Sequence, residues 1–86
     1  MQVKGKYMFV IESVHWKIST FLQKQRIVIR KGNKRWVSQN GSRYYEWDAL
    51  HGEIEVYDRK GNAVGILNAD GTSSKKQIKE GRKIDV

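Results

Sequence analysis

Ser42-Arg-Tyr-Tyr-Glu-Trp-Asp-Ala-Leu-His-Gly-Glu-Ile-Glu-Val-Tyr57 is the stretch on which the fold turns. Two runs rich in aromatic and β-branched residues flank a short break at His51-Gly52, the pattern of a β-hairpin. A turn over residues 49–52 sets Asp48 opposite Glu53 and Glu46 opposite Glu55. The two-residue period of a strand then sorts the side chains onto two faces. Tyr45, Trp47, Ile54 and Val56 share an apolar face, which must be the core side. Tyr44, Glu46, Asp48, Glu53, Glu55 and Tyr57 share the other, and His51 sits in the turn at its edge.

On either side of this hairpin, turn signals recur at Asn40-Gly41, Lys60-Gly61-Asn62 and Asp70-Gly71. They predict an antiparallel meander with strands over residues 34–38, 42–48, 53–58 and 63–68, and a last short extended piece over 82–85. Upstream, residues 7–11 and 26–30 read as strands. Between them Val14, Ile18, Phe21 and Leu22 fall at helical spacing and predict one short amphipathic helix, with Ser13 as its cap. The fold class expected is α+β: a twisted antiparallel β-sheet of short strands with one short N-terminal helix.

The chain has 86 residues, enough for a single domain and too few for a second. It has no cysteine, which excludes disulfides, thiolate zinc sites and a cysteine nucleophile. A core this small must hold the fold alone, so the stability margin is thin. The longest apolar run, residues 7–11, is far too short to span a bilayer, and no signal-peptide pattern precedes it. A soluble chain made in the cytoplasm, without a membrane anchor, is the expectation.

Seventeen Lys and Arg against nine Asp and Glu give a net charge of +8, which calls for an anionic partner, nucleic acid first. Residues 1–35 hold nine of the cations and one acid, Glu12. The remaining residues are balanced, yet five acids (Glu46, Asp48, Glu53, Glu55 and Asp58) crowd into thirteen positions. The plain reading of that cluster is a solvated face balancing nearby lysines. The hairpin register argues for more. Carboxylates set directly across a sheet repel, and crowding pushes at least one toward a higher pKa, where it accepts protons better near neutral pH. Asp48 and Glu55 are diagonal neighbours roughly 7–8 Å apart between Cα atoms, a gap that admits a phosphate.

Metal-free RNA cleavage needs a base for the ribose 2′-hydroxyl, an acid for the departing 5′-oxygen and a cation for the phosphate. Glu, His and Arg suit those tasks. His51 is the one histidine near the acids, and an adjacent carboxylate favours its protonated form. His15, beside Trp16, reads as a partly buried structural residue. The same Asp48, His51 and Glu55 would alternatively ligate a divalent metal.

Lys34-Arg35-Trp36, Tyr45-Glu46-Trp47-Asp48, His51-Gly52-Glu53-Ile54-Glu55 and Tyr57 together resemble the cytotoxic domain of the ribosome-inactivating colicins. These bacterial toxins carry a C-terminal ribonuclease domain that cuts 16S rRNA of the small ribosomal subunit at the decoding site. The likeness runs on through Gly61, Gly65, Gly71 and Gly81-Arg82-Lys83-Ile84. It covers residues 31–85 and leaves 1–30 as a divergent N-terminal segment of the same domain.

The resemblance implies catalytic roles for Asp48, His51, Glu55 and Arg82. Glu55 would be the general base and His51 the general acid; Asp48 would orient or charge-stabilise His51 and Arg82 would hold the phosphate. Arg82 comes from the resemblance alone. No metal and no cofactor is implied. An acidic immunity or antitoxin protein is the partner expected beside the ribosome, and the chain would be a free-standing intracellular toxin or one domain of a larger secreted one. The departures are the missing prolines, the N-terminal segment and a shorter loop at Ser73-Ser74-Lys75-Lys76; they bear on delivery and site choice.

Lys34, Arg35, Lys75, Lys76 and Lys83 fit a surface that tracks phosphates, with Tyr44 and Tyr57 placed to stack on unpaired bases. Lys31, Arg26 and Arg30 belong to the same excess of charge. Two other functions fit the composition: a non-catalytic RNA- or ribosome-binding module on the same fold, and a toxin–antitoxin component that acts by binding. A pure binder has no reason to keep Asp48, His51, Glu55 and Arg82 together.

Overall fold

A computed structural model describes residues 16–86. Five strands, β1 (Arg26–Arg30), β2 (Asn33–Val37), β3 (Arg43–Asp48), β4 (Glu53–Asp58) and β5 (Ala63–Asn68), form one antiparallel sheet in chain order. The meander is the one predicted, and four predicted strands agree with β2 to β5 to within a residue at each end. The predicted strand over 7–11, the Ser13 cap, Val14 and His15 lie outside the described residues.

Local backbone chemistry sets the hairpins. Between β1 and β2, Lys31 and Gly32 both take positive φ, 50° and 81°, which matches the twist of a two-residue hairpin. Between β3 and β4 the register is Asp48↔Glu53, Trp47↔Ile54, Glu46↔Glu55, Tyr45↔Val56 and Tyr44↔Tyr57. This is the pairing read from the sequence. The β4–β5 ladder carries a bulge at Val56/Tyr57, after which Tyr57 faces Ala63.

One face is the core. Leu22, Trp36, Tyr45, Ile54 and Val56 are buried there, with Trp16, Phe21, Trp47 and Leu67 packed against them. Phe21 meets Tyr45 edge-on at 5.0 Å and Trp16 tilts against Trp36 at 5.2 Å.

The segment supplying Trp16, Phe21 and Leu22 is not a helix. It forms two single 3-10 turns, Trp16–Ile18 and Leu22–Lys24, so among the described residues the fold is all-β rather than α+β. Ser19 explains the difference. Its buried hydroxyl accepts the Leu22 N–H at 2.9 Å and donates to the Ala69 carbonyl at 2.7 Å, so the side chain takes a bond that a helix would give to the backbone. The apolar residues of the segment still cover the core face.

The last dozen residues cross the opposite face. The expected strand over 82–85 reduces to a single bridge, Asn62↔Lys83. Ala63 N–H donates to the Arg82 carbonyl at 3.0 Å and Ile84 N–H to the Gly61 carbonyl at 2.8 Å. Gly61 has φ 92°, and a Cβ there would collide with the Ile84 carbonyl oxygen, so glycine is what lets this segment dock. Among the described residues no helix is long and apolar enough to cross a membrane.

Candidate active site

On the second face, β3, β4 and β5 form a floor and residues 76–82 form a wall. Together they enclose a cleft of about 290 Å³ lined by Asp48, His51, Glu53, Glu55, Tyr57 and Arg82, among others. All four residues predicted to be catalytic therefore reach one cavity.

Asp48 ends β3 and grips the turn that follows. Its Oδ1 accepts the His51 N–H at 3.1 Å, and His51 Nδ1 lies 2.8 Å from Oδ2. An ionised carboxylate only accepts, so Nδ1 carries the proton and Nε2 is left for a substrate. Burial works to raise the Asp48 pKa, but the ring and backbone hydrogen bonds of His51, its charge and the Leu50 N–H outweigh it and hold the carboxyl low. Asp48 is therefore not a carboxylate that crowding raises.

Glu55, in mid-β4, meets a different set. The Tyr57 hydroxyl donates to Oε1 at 3.0 Å, and Arg82 Nη2 sits 2.9 Å from the same oxygen. Arg82 Nε donates to the Tyr57 hydroxyl at 3.1 Å, which closes a three-residue ring. Both contacts fall on Oε1, so Oε2 is the oxygen open to a proton. Burial first, then the hydrogen bond and charge of Glu55, push the Tyr57 hydroxyl up to about 12, so it stays a donor.

The repulsion read into this face is relieved by partners from elsewhere. Lys76 Nζ is 3.2 Å from Glu53 and Arg35 is 3.5 Å from Glu46, beside the pairs at Asp48 and Glu55. Glu46, Glu53 and Glu55 each have a basic partner from outside strands β3 and β4, and Asp48 is bonded by His51 of the intervening turn.

Several predicted RNA contacts are corrected. Tyr57 is completely buried and offers no ring to a base; its place is under Arg82. Arg35 is only 6% exposed and spends its guanidinium on Glu46 and the Asp85 carbonyl. Lys34 shares the Trp36 side of β2, away from the cleft, and lies over the Trp16 ring at 5.0 Å. Lys75 and Lys83 are exposed but do not line the cleft, whereas Lys76 does. Tyr44 is half-buried beneath the Arg35 guanidinium, in a neighbouring groove. Sequence reasoning missed the wall at 76–79, which has no periodicity to read, and the part Tyr57 plays beside Glu55.

The group that would suit a metal is also not the predicted one. Among the described residues, Asp48, His51 and Glu53 bring ligand atoms within 4.8 Å of one another, and Glu55 is outside that set. Nδ1 of His51 is already engaged by Asp48, and Glu53 by Lys76.

A family model described as Cytotoxic matches residues 18–85. The chain belongs to this family of cytotoxic nuclease domains. The match starts upstream of the motif likeness and takes in the second 3-10 turn and β1, so the family resemblance extends beyond the hairpin. No curated protein and no solved structure matches the chain. As a cytotoxic domain of the colicin type, the chain has toxin nuclease chemistry as its general activity. The cleft is the feature of its fold that gathers groups able to perform it.

Proposed function

We propose that this cytotoxic domain is a ribonuclease that cuts 16S rRNA at the decoding site and so stops translation. The reaction is a metal-free transesterification. Glu55 Oε2 takes the proton of a ribose 2′-hydroxyl, and the 2′-oxygen attacks phosphorus to give a 2′,3′-cyclic phosphate. The bond to the 5′-oxygen breaks, and that oxygen leaves with a proton from Nε2 of His51, which acts as the imidazolium with Nδ1–H kept on Asp48 and ends as the neutral ring. Asp48 orients the imidazole through Nδ1, and Arg82 turns its guanidinium to the charge growing on the phosphate. Tyr57 holds Glu55 and Arg82 in register.

The observation that carries this reading is one cleft holding a carboxylate with an open oxygen and an imidazole with an open nitrogen, with an arginine beside the carboxylate. The partners proposed with it are the small ribosomal subunit and a small acidic immunity-type protein; the place of action is the cytoplasm of a bacterial cell. The test is incubation with intact ribosomes and mapping of the cut by primer extension. Glu55→Gln and His51→Ala should each lower cleavage by about a hundredfold or more while the fold survives. Chelator should leave the rate unchanged. Full activity of either variant, or EDTA inhibition reversed by a divalent metal on intact ribosomes, overturns the assignment. Ribosome binding without any cut would make the domain a binding module.

A further inference from the structure

A second groove, of about 310 Å³, opens on the catalytic side of the sheet. It belongs to β1, β2 and the start of β3. Its floor is apolar, from Val28 and Val37, with Tyr44 at one side and Arg26, Arg30 and Arg35 around it. The register joins it to the cleft. Val28 pairs with Arg35, Arg35 bonds Glu46, and Glu46 pairs with Glu55. One row of side chains thus runs from the groove to the general base. At about 4.8 Å per strand, β1 lies roughly 14 Å from β4.

The rim already holds an anion. The Asp85 carboxylate lies 2.6 Å from Lys31 and 3.3 Å from Arg30, and Arg35 donates to the Asp85 carbonyl at 2.8 Å. Arg26, at the other end of β1, has no ion pair among the described residues. Apolar floor, aromatic side and cationic rim match the parts of a nucleotide: a base with a π-face and an anionic phosphate.

We propose that this groove is a second RNA subsite, which takes a nucleotide a few positions along the strand from the scissile bond. Arg26 and Arg30 hold phosphates, the base lies on Val28, Val37 and Tyr44, and Asp85 occupies the phosphate position until RNA displaces it. Lys31 and Arg30 change partner from carboxylate to phosphate. Arg35 stays buried and keeps the groove joined to the cleft. The inference rests on the proposed ribonuclease activity for its geometry, but its test reads binding alone.

The experiment uses the Glu55→Gln full-length chain and a labelled single-stranded RNA of about a dozen nucleotides, with affinity measured by fluorescence anisotropy across a salt series. Added Arg26→Gln and Arg30→Gln should weaken binding about tenfold and flatten the slope of log affinity against log salt by about 0.7 for each phosphate no longer neutralised. Asp85→Asn should tighten binding severalfold. A control pair, Arg59→Gln with Lys60→Gln, removes the same charge away from this groove and should cost much less. Equal losses from the two pairs would reduce the effect to general electrostatics and overturn the proposal. Weakened capture of polyglutamate with RNA affinity unchanged would make the groove a protein-docking surface, and would overturn it as well. If RNA binds through the groove while the wild type cuts no ribosome, this subsite stands and the catalytic reading fails.

Discussion

Tyr57 joins Glu55, the proposed base, to Arg82, the proposed phosphate holder, through one hydroxyl. Removing that oxygen strips a partner from both and leaves polar groups half-satisfied, at a cost of about 1–3 kcal/mol. Tyr57→Phe should therefore fold, and cut ribosomes about tenfold more slowly because Glu55 and Arg82 lose their common positioning. Its stability should also respond differently to alkali. The phenol ionises near 10.0 when unfolded and at about 12 when folded. A pKa raised by folding gives a contribution complete below pH 10 and lost as pH climbs to 12. Wild-type stability should fall across that window by something on the order of 2 kcal/mol more than that of Tyr57→Phe. Parallel urea titrations at pH 9 to 12 check it, and identical curves would separate Tyr57 from this role.

At the level of elements, the site depends on one irregular segment lying against a regular sheet. The β3–β4 hairpin supplies Asp48, His51 and Glu55 by register alone, whereas Arg82 arrives only because residues 82–84 bond to Gly61 and Ala63. The Gly61 turn is the anchor. Gly61→Ala forces a side chain into positive φ and against the Ile84 carbonyl, which should cost about 1–3 kcal/mol. Cleavage should fall further than the small unfolded fraction explains, since Arg82 moves with the segment. Urea midpoints together with rates at low temperature, where the variant is folded, separate the two effects; a normal rate in the folded variant would free Arg82 from this anchor. The turns at Trp16–Ile18 and Leu22–Lys24 show the opposite case. Apolar spacing placed the segment correctly on the core, but the Ser19 hydroxyl, bonded to a carbonyl fifty residues away, chose the backbone form.

Over the whole molecule, a net charge of +8 is carried by a protein whose cleft face is locally acid-rich but paired. The unpaired excess is available for long-range attraction. An acidic inhibitor that docks on this surface should associate fast at low salt and more slowly as salt rises, because charges beyond about 8 Å are screened at physiological ionic strength. Wild-type expression in bacteria should accordingly be toxic alone and tolerated with such an inhibitor, or with Glu55→Gln. Harmless high-level expression of the unaccompanied wild type, assayed by growth and by rRNA integrity, would count against both enzyme and inhibitor.

The meander, the β3–β4 register and the division of that hairpin into an apolar and an acidic face were all legible in the sequence. Each follows from period-two patterning and turn chemistry, which act between residues close in the chain. The resemblance to the colicin toxins also picked out the family and the positions of Asp48, His51, Glu55 and Arg82. Long-range packing settled the rest: which cation meets each carboxylate, that Tyr57 and Arg35 are buried, that Lys34 faces Trp16, and that residues 76–82 wall the cleft. Those outcomes join side chains that no local period relates: Arg82 meets Tyr57 across 25 positions and Arg35 meets Asp85 across 50. A strand's alternation states which way a side chain points; what lies over it depends on chain that folds back from far away.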